Sequence, residues 1–216
     1  MKPSLKEIDL YFITDSKLTK KTVLDDIKSA IKAGVKIIQY REKEKPTRIM
    51  YEEAKEIKKL CDKNNVLLII NDRIDICQAI NADGVHLGNE DMPYKEARKL
   101  LKSKKSKENK IIGLTIHNVE EAKKAEKLGA DYIGVSPIFE TKTKPDAGPP
   151  TGLKLIEEVK NTVKIPFVPI GGINLDNINQ VIQAGATSAA VISAIITKDD
   201  VEAECKKFIE KLQNAQ

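Results

Sequence analysis

Short apolar runs recur along the chain and alternate with segments of helical spacing. The runs are short and rich in β-branched residues, which is typical of strands buried on both faces of a parallel sheet. They occupy residues 11–13, 35–38, 66–70, 84–87, 111–114, 132–135, 167–170 and 189–192. The pattern therefore predicts eight parallel strands.

The segments between these runs carry apolar residues on one helical face and charged or amide residues on the other. Two such faces comprise Ala54, Ile57, Leu60 and Cys61, and Ile178, Val181 and Ile182. Glycines at 34, 129 and 185 follow helical segments, where a left-handed residue ends a helix. Asn118 and Asn174 are predicted to cap the starts of two helices. Eight β-then-α units without a linker predict one α/β domain over residues 1–216, a (β/α)₈ TIM barrel.

Composition narrows the class of protein. The chain of 216 residues is 41% hydrophobic and has no apolar stretch of the roughly 20 residues that a membrane helix needs. Its first residues turn polar before a signal-peptide core develops, so we expect a soluble, cytoplasmic protein without a membrane partner. Cys61, Cys77 and Cys205 lack metal-ligand spacing and are expected to be reduced packing residues.

Charge gives little support to a nucleic-acid partner. The formal net charge is only +5, and tryptophan is absent. Lysines crowd residues 102–110, but no aromatic residues interleave with them as a base-stacking surface requires. We interpret this segment as a solvated loop, and an RNA-binding module that uses it is a weaker alternative.

Polar residues follow most of the predicted strands. In a (β/α)₈ barrel the carboxyl ends of the strands meet at one rim, where active sites lie. Arg41 and Lys43 follow the second strand, with Gln39 on the same alternating face. A guanidinium beside an ammonium suits phosphate oxygens. The alternative is a set of surface charges matched to Glu42 and Glu44.

Acidic residues end the next two strands. Asp72 follows the third strand beside Asn71, and Asp91 follows the fourth. Two carboxylates from neighbouring strands can hold Mg²⁺, which completes its coordination shell with water and substrate phosphate oxygens. The metal would also make these acids compatible with an anionic substrate. Capping of the following helices by the carboxylates is the alternative.

A second anion site is predicted at the last two strands. Gly171 and Gly172 follow strand seven, and Ile192 and Ser193 follow strand eight, where barrels often bind phosphate through backbone N–H groups. The long polar loop at 140–152 is predicted to cover this site, with a solvated connector as the alternative. The two sites together suit one diphosphate and one monophosphate substrate.

The chain resembles the thiamine-phosphate synthase family over nearly its whole length. The resemblance rests on residues 39–43, 71–72, 84–91, 141–144 and 169–173, which read QYREK, ND, GVHLGNED, TKTK and PIGGI. It implies a (β/α)₈ barrel that joins hydroxymethylpyrimidine diphosphate to a thiazole phosphate and releases diphosphate. The loop departs from the family pattern at Pro145 and at Pro149-Pro150, which make it stiffer.

The resemblance also implies roles for individual residues. Asp72 and Asp91 match the family's Mg²⁺ ligands, and Thr115 stands where serine is more frequent. Catalytic roles fall on Arg41, Lys43, Thr115 and Lys144. The substrate-binding positions are Gln39, Tyr40, Arg41, Glu42, Lys43, Asn71, Thr115, Thr141, Lys142, Thr143, Lys144, Gly172, Ile192 and Ser193.

The implied reaction is a dissociative substitution, in which diphosphate leaves and the thiazole nitrogen captures a pyrimidine-methyl cation. No strong base is needed, because that nitrogen carries no proton to lose. A thiazole tautomerase of the same superfamily is the nearest alternative, and His117 does not separate the two. A Schiff-base aldolase that uses Lys144 is a weaker one. The sequence leaves the oligomeric state open, a homo-oligomer included.

Overall fold

The computed structural model of this chain describes residues 2–102, 109–144 and 147–214. All the strand pairs in its one sheet are parallel. The strands are Leu10–Ile13 (β1), Ile37–Tyr40 (β2), Leu67–Asn71 (β3), Gly84–Leu87 (β4), Ile111–Ile116 (β5), Tyr132–Val135 (β6), Phe167–Pro169 (β7) and Ala189–Val191 (β8).

The sheet closes on itself. Strand order is β7-β6-β5-β4-β3-β2-β1-β8, so β8 pairs with β1 across the start of the sequence. A parallel bridge between Ile170 and Ala190 joins the end of β7 to β8 and completes the ring. The predicted (β/α)₈ barrel is confirmed.

Helices follow the strands and cover the outside of the barrel. They are Val23–Ala33 (α1), Thr47–Lys63 (α2), Ile74–Ala79 (α3), Tyr94–Leu101 (α4), Val119–Leu128 (α5), Leu153–Thr162 (α6), Ile178–Gln183 (α7), Ser193–Ile196 (α8) and Val201–Gln213 (α9). A short 3₁₀ turn, Leu5–Glu7, precedes β1. Most of the lysine-rich segment at 102–110 lies outside the described residues. None of the described helices is long and apolar enough to cross a bilayer.

Two apolar layers hold the barrel together. Residues that alternate outward from the strands, such as Ile38 and Tyr40, pack against the buried faces of the helices. The predicted face of α2 is part of this layer, with Ala54, Ile57 and Cys61 fully buried. A smaller inner layer fills the barrel below the cavity. Its buried members are Ile8, Tyr11, Ile13, Ile37, Leu67, Ile69, Tyr132, Val168 and Ala190.

Helix ends agree with the sequence at most positions. Gly34 and Gly129 end α1 and α5 in the left-handed conformation, with φ of 99° and 88°. The Asn118 side chain accepts from the backbone N–H of Glu121 and caps α5. Asn174 caps the turn that leads into α7 and not the first residue of the helix. Its Oδ1 accepts from the backbone N–H groups of Asp176 and Asn177, its carbonyl oxygen accepts from Ile178, and α7 begins at Ile178.

Candidate active site

A cavity of about 370 Å³ opens at the carboxyl ends of the strands. That volume lies within the range of small-molecule binding sites. It brings together most of the residues that the sequence singled out, from the second to the eighth strand. These are Gln39, Arg41, Lys43, Asn71, Asp72, Asp91, Thr115, Thr141, Thr143, Lys144, Gly172, Ile192 and Ser193.

Arg41 is fixed by residues at the end of β1. Its Nη1 lies 2.5 Å from Oδ2 of Asp15, and its backbone N–H donates to Thr14 Oγ1 over 3.0 Å. The side chains of Arg41 and Asp15 are 14% and 10% exposed. Asp15 does not line the cavity, so it orients the guanidinium from behind.

Lys43 reaches across to the acidic pair. Its ammonium forms an ion pair with Asp72 Oδ2, and Asp91 Oδ2 accepts from the backbone N–H of Gly88 over 2.6 Å. Burial and the neighbouring carboxylate of Asp72 together raise the pKa of Asp91. The ionised carboxylates of Asp72 and Asp91 repel each other, and a cation bound between them would relieve that repulsion.

The backbone at Asp72 is unusual for a residue with a side chain. Its φ of 60° lies in the left-handed region, which costs a non-glycine residue about 1–2 kcal/mol. The conformation is held by the Asp72 N–H, which donates to the carbonyl of His86 over 2.9 Å. Strained residues of this kind concentrate at functional sites.

The glycines after β7 are required by space as well as by conformation. Gly171 and Gly172 have φ of 105° and 65°. A Cβ at Gly171 would lie 2.6 Å from Pro137 Cβ, and one at Gly172 would lie 2.4 Å from the carbonyl oxygen of Glu140. The loop after β6 therefore packs directly on this turn beside the cavity.

Three residues that the resemblance placed in substrate binding do not line the cavity. They are Tyr40, Glu42 and Lys142. Tyr40 points outward, because side chains alternate along a strand, and its hydroxyl donates to Glu53 Oε2 over 2.7 Å. These three residues would contact substrate only through backbone atoms or after a conformational change.

Glu42 instead organises the turn that carries Lys43. Its Oε1 accepts from the backbone N–H groups of Lys43, Glu44 and Lys45 at 2.8, 2.9 and 3.3 Å. Burial opposes ionisation of the Glu42 carboxyl, but hydrogen bonds from Ser16 and from this turn lower its pKa overall. Glu42 is 7% exposed and holds this turn in place from beneath it.

Sequence reasoning missed three polar residues inside the barrel. Tyr11, His86 and Tyr132 line the cavity and are hydrogen-bonded to one another. Burial lowers the pKa of His86 to about 4, so its ring is neutral near pH 7. Their signal in the sequence is a polar or aromatic residue at an inward position of an apolar strand.

His117 and the loop after β6 complete the upper wall. Nδ1 of His117 donates to the carbonyl oxygen of Ser136 over 2.6 Å, as expected for a histidine anchored to the backbone. Thr141, Thr143 and Lys144 of the loop line the cavity, as the lid interpretation requires. Pro145, which was predicted to stiffen the loop, lies outside the described residues.

Fold and site together define a (β/α)₈-barrel enzyme with a cationic and acidic rim suited to phosphorylated ligands. Comparison with known proteins is more specific. The sequence profile described as thiamine monophosphate synthase matches residues 10–195. The chain belongs to this family.

Individual relatives agree with the family. A thiamine-phosphate synthase of Methanosarcina barkeri is 51% identical over 209 residues, which are 97% of this chain and 92% of the relative. One of Syntrophomonas wolfei is 45% identical over 94% of this chain and 95% of the relative. The solved thiamine phosphate pyrophosphorylase of Pyrococcus furiosus superposes with a TM-score of 0.88 at 37% identity, covering 98% of both chains.

These findings confirm the resemblance found in the sequence. Fold, family and enzyme class are as predicted, and the chain is a transferase.

Proposed function

We propose that this chain catalyses the formation of thiamine phosphate, in which a thiazole phosphate displaces diphosphate from hydroxymethylpyrimidine diphosphate. The observation that carries the proposal is the convergence of Arg41, Lys43 and Lys144 with Asp72 and Asp91 on one rim of one cavity. Cations alone would suit any phosphate. Cations combined with a pair of carboxylates suit a diphosphate that arrives with a divalent metal ion.

The diphosphate side of the cavity comprises Arg41, Lys43, Lys144, Asn71 and Thr115. Arg41 offers a planar donor set that Asp15 already orients, so little side-chain entropy is lost when it binds phosphate. Charge accumulates on the leaving oxygen as the carbon–oxygen bond breaks. Contacts to these cations then strengthen, and stronger contacts in the transition state than in the ground state accelerate the reaction.

Rough magnitudes agree with this role. Opposite unit charges about 4 Å apart attract by about 4 kcal/mol at an effective dielectric constant near 20. Each 1.36 kcal/mol that is gained only in the transition state gives about a tenfold rate increase. A few such contacts therefore supply several powers of ten.

Asp72 and Asp91 fit a Mg²⁺ site. They supply oxygen ligands from adjacent strand ends. Burial and the neighbouring Asp72 carboxylate raise the pKa of Asp91, and a cation bound between the two acids would favour their ionised forms. Among the described residues, no group of three or more acidic, histidine or cysteine side chains is placed to hold a metal. Two protein ligands leave positions for water and phosphate, as Mg²⁺ prefers. When bound, the metal would neutralise charge on the leaving diphosphate.

The thiazole phosphate is assigned to the turn Gly171-Gly172, to Ile192 and Ser193, and to Thr141 and Thr143. These residues line the cavity at the ends of β7 and β8 and on the loop after β6, and they supply backbone N–H and hydroxyl donors. Lys142 contributes charge from outside the lining. Placing the two phosphate groups at different ends of the cavity directs the thiazole nitrogen toward the reacting carbon.

The same chemistry explains why we assign no residue as a general base. The attacking nitrogen has no proton, so a general base is unnecessary. His86, which lines the cavity, is neutral and hydrogen-bonded through both ring nitrogens. A thiazole tautomerase would need a proton relay but no diphosphate site, so the cations and acids on the rim favour the synthase.

We further propose a cytoplasmic location and phosphorylated small molecules as the substrates. The three buried, unpaired cysteines support a reducing compartment. The +5 net charge gives no support to a nucleic-acid partner.

An assay of the purified chain tests the proposed function. Both phosphorylated substrates are supplied with and without Mg²⁺, and diphosphate release is followed. We expect release that requires both substrates and the metal. Isomerisation of a thiazole carboxylate phosphate without diphosphate release would replace the proposal with the tautomerase.

A further inference from the structure

Five side chains from five different strands form one continuous chain of hydrogen bonds across the barrel. Gln39 Nε2 lies 3.1 Å from Tyr11 Oη, which lies 2.8 Å from Tyr132 Oη. The Tyr132 hydroxyl lies 2.9 Å from His86 Nδ1, and His86 Nε2 lies 2.9 Å from Thr115 Oγ1. All five residues line the cavity, so the chain forms its floor.

A glycine in β5, Gly113, makes this arrangement possible. His86 of β4 pairs in register with Gly113 of β5, which pairs with Tyr132 of β6. A Cβ at Gly113 would lie 2.1 Å from Tyr132 Cζ. The glycine therefore leaves the space through which the Tyr132 ring reaches His86, two strands away.

The direction of the chain follows from the donors at its ends. An amide nitrogen only donates, so Tyr11 accepts from Gln39, and among the described residues Tyr132 is then the one partner left for the Tyr11 proton. Tyr132 in turn donates to His86 Nδ1. A neutral imidazole that accepts at Nδ1 carries its proton at Nε2, and that proton goes to Thr115 Oγ1. No other described residue is hydrogen-bonded to the Thr115 hydroxyl, so its proton is left for the cavity.

We propose that Tyr11, Tyr132 and His86 are positioning residues that fix the Thr115 hydroxyl as a donor aimed at a phosphate oxygen of the substrate. This role rests on the proposed function for the identity of the ligand. The direction suits that ligand, because phosphate oxygens only accept hydrogen bonds. The reversed chain, with the Gln39 amide turned over, would present oxygen lone pairs to an anion.

The histidine tautomers test the direction without any substrate. The sequence holds only two histidines, so the ring signals of the ¹⁵N-labelled full chain are assigned with one His117→Gln variant. We expect His86 to carry its proton on Nε2. We expect His117 to carry its proton on Nδ1, which lies against the carbonyl oxygen of Ser136. A proton on Nδ1 of His86 would overturn the proposal and leave the proposed function untouched.

Cutting the chain tests whether the tautomer depends on it. Tyr132→Phe removes the donor to Nδ1, and we expect the single His86 tautomer to become a mixture. Tyr94→Phe is the matched control, because it removes another buried tyrosine hydroxyl, one bonded to Gly129 outside the barrel. An unchanged His86 spectrum in Tyr132→Phe would overturn the proposal. If Tyr132→Phe does not fold, Tyr11→Phe is the second variant. It removes the preceding hydrogen bond of the chain, from Tyr11 to Tyr132, and the same change in the His86 spectrum is expected.

Kinetics test whether the chain acts through Thr115. Thr115→Val should lower kcat about 100-fold, as loss of one preorganised donor does. Tyr132→Phe should lower it about tenfold. The double variant should be no slower than Thr115→Val alone, because Tyr132 acts through the Thr115 hydroxyl, which that variant already lacks. Thr115→Ser should stay within about threefold of the wild type. Losses that multiply in the double variant would overturn the proposal.

Discussion

Arg41 and Asp15 form a partly buried ion pair between the ends of β2 and β1, with Nη1 and Oδ2 2.5 Å apart. Only Arg41 of the two lines the cavity. The guanidinium is therefore held in place before any substrate arrives. Preorganisation of this kind lowers the cost of ordering the side chain when the diphosphate binds.

Asp15→Asn should lower kcat/KM by about 10- to 100-fold, since Arg41 keeps its charge but loses its anchor. Steady-state kinetics with both substrates measure the effect. Asp199→Asn is the matched control: Asp199 is 91% exposed and pairs with Lys20 on the surface. Equal activity of Asp15→Asn and Asp199→Asn would show that Arg41 needs no anchor.

Gly172→Ala should weaken the phosphate site beside β7 and destabilise the fold. The residue has φ of 65°, and its Cβ would meet the carbonyl oxygen of Glu140 at 2.4 Å. Gly34→Ala is the control that separates backbone strain from steric contact. Gly34 also has a positive φ, of 99°, but an added Cβ would meet nothing within 4 Å. We expect about 1–2 kcal/mol of lost unfolding free energy for Gly34→Ala and a larger loss for Gly172→Ala. KM for the thiazole phosphate should rise in Gly172→Ala alone, and a matching rise in Gly34→Ala would contradict the site.

The unfolding free energy should fall as the pH falls from 6.5 to about 4, the range between the pKa of a solvated histidine and that of His86 in the folded chain. Burial holds the pKa of His86 at about 4 in the folded chain, against an ordinary value of 6.5 for a solvated histidine. Between these values the unfolded state binds a proton that the folded state does not, so acid favours unfolding. The contribution is at most a few kcal/mol. Urea unfolding at pH 6.5 and 4.5 should show a smaller difference for His86→Gln than for the wild type, whereas equal differences would contradict a buried neutral ring.

The cysteines should be unreactive until the chain unfolds. Burial raises the pKa of the Cys61 and Cys77 thiols to about 12, and Cys205 is also fully buried. Thiolate is the reactive form, and little is present at pH 8. A maleimide reagent should label none of the three in buffer and all of them in urea. Rapid labelling of the folded chain would show that the outer layer opens locally.

The sequence was sufficient for the fold because the barrel repeats one simple pattern. The runs at 84–87 and 132–135 match β4 and β6 at both ends. The run at 35–38 starts two residues too early, since Val35 and Lys36 belong to the turn before β2. Val35 is apolar and 2% exposed although it precedes β2, so an apolar residue here indicates burial and not a strand.

The rim of the site was also accessible from the sequence, but its supports were not. Position after a strand identified Arg41 and Asp72, because parallel strands end at one rim. The partnership of Arg41 with Asp15 depends on the register of β1 with β2, which a single sequence does not contain. The link from Tyr11 to Tyr132 likewise joins strands that are far apart in the chain.

The dependence of diphosphate release on Mg²⁺ tests the central claim most directly. We predict that turnover of the wild type rises with Mg²⁺ and saturates, and that Asp72→Ala and Arg41→Ala abolish turnover while thermal unfolding shows an intact fold. Asp91→Asn should require at least tenfold more Mg²⁺ for half-maximal rate. Diphosphate release by Asp72→Ala or Arg41→Ala at the wild-type rate and Mg²⁺ dependence would contradict the account.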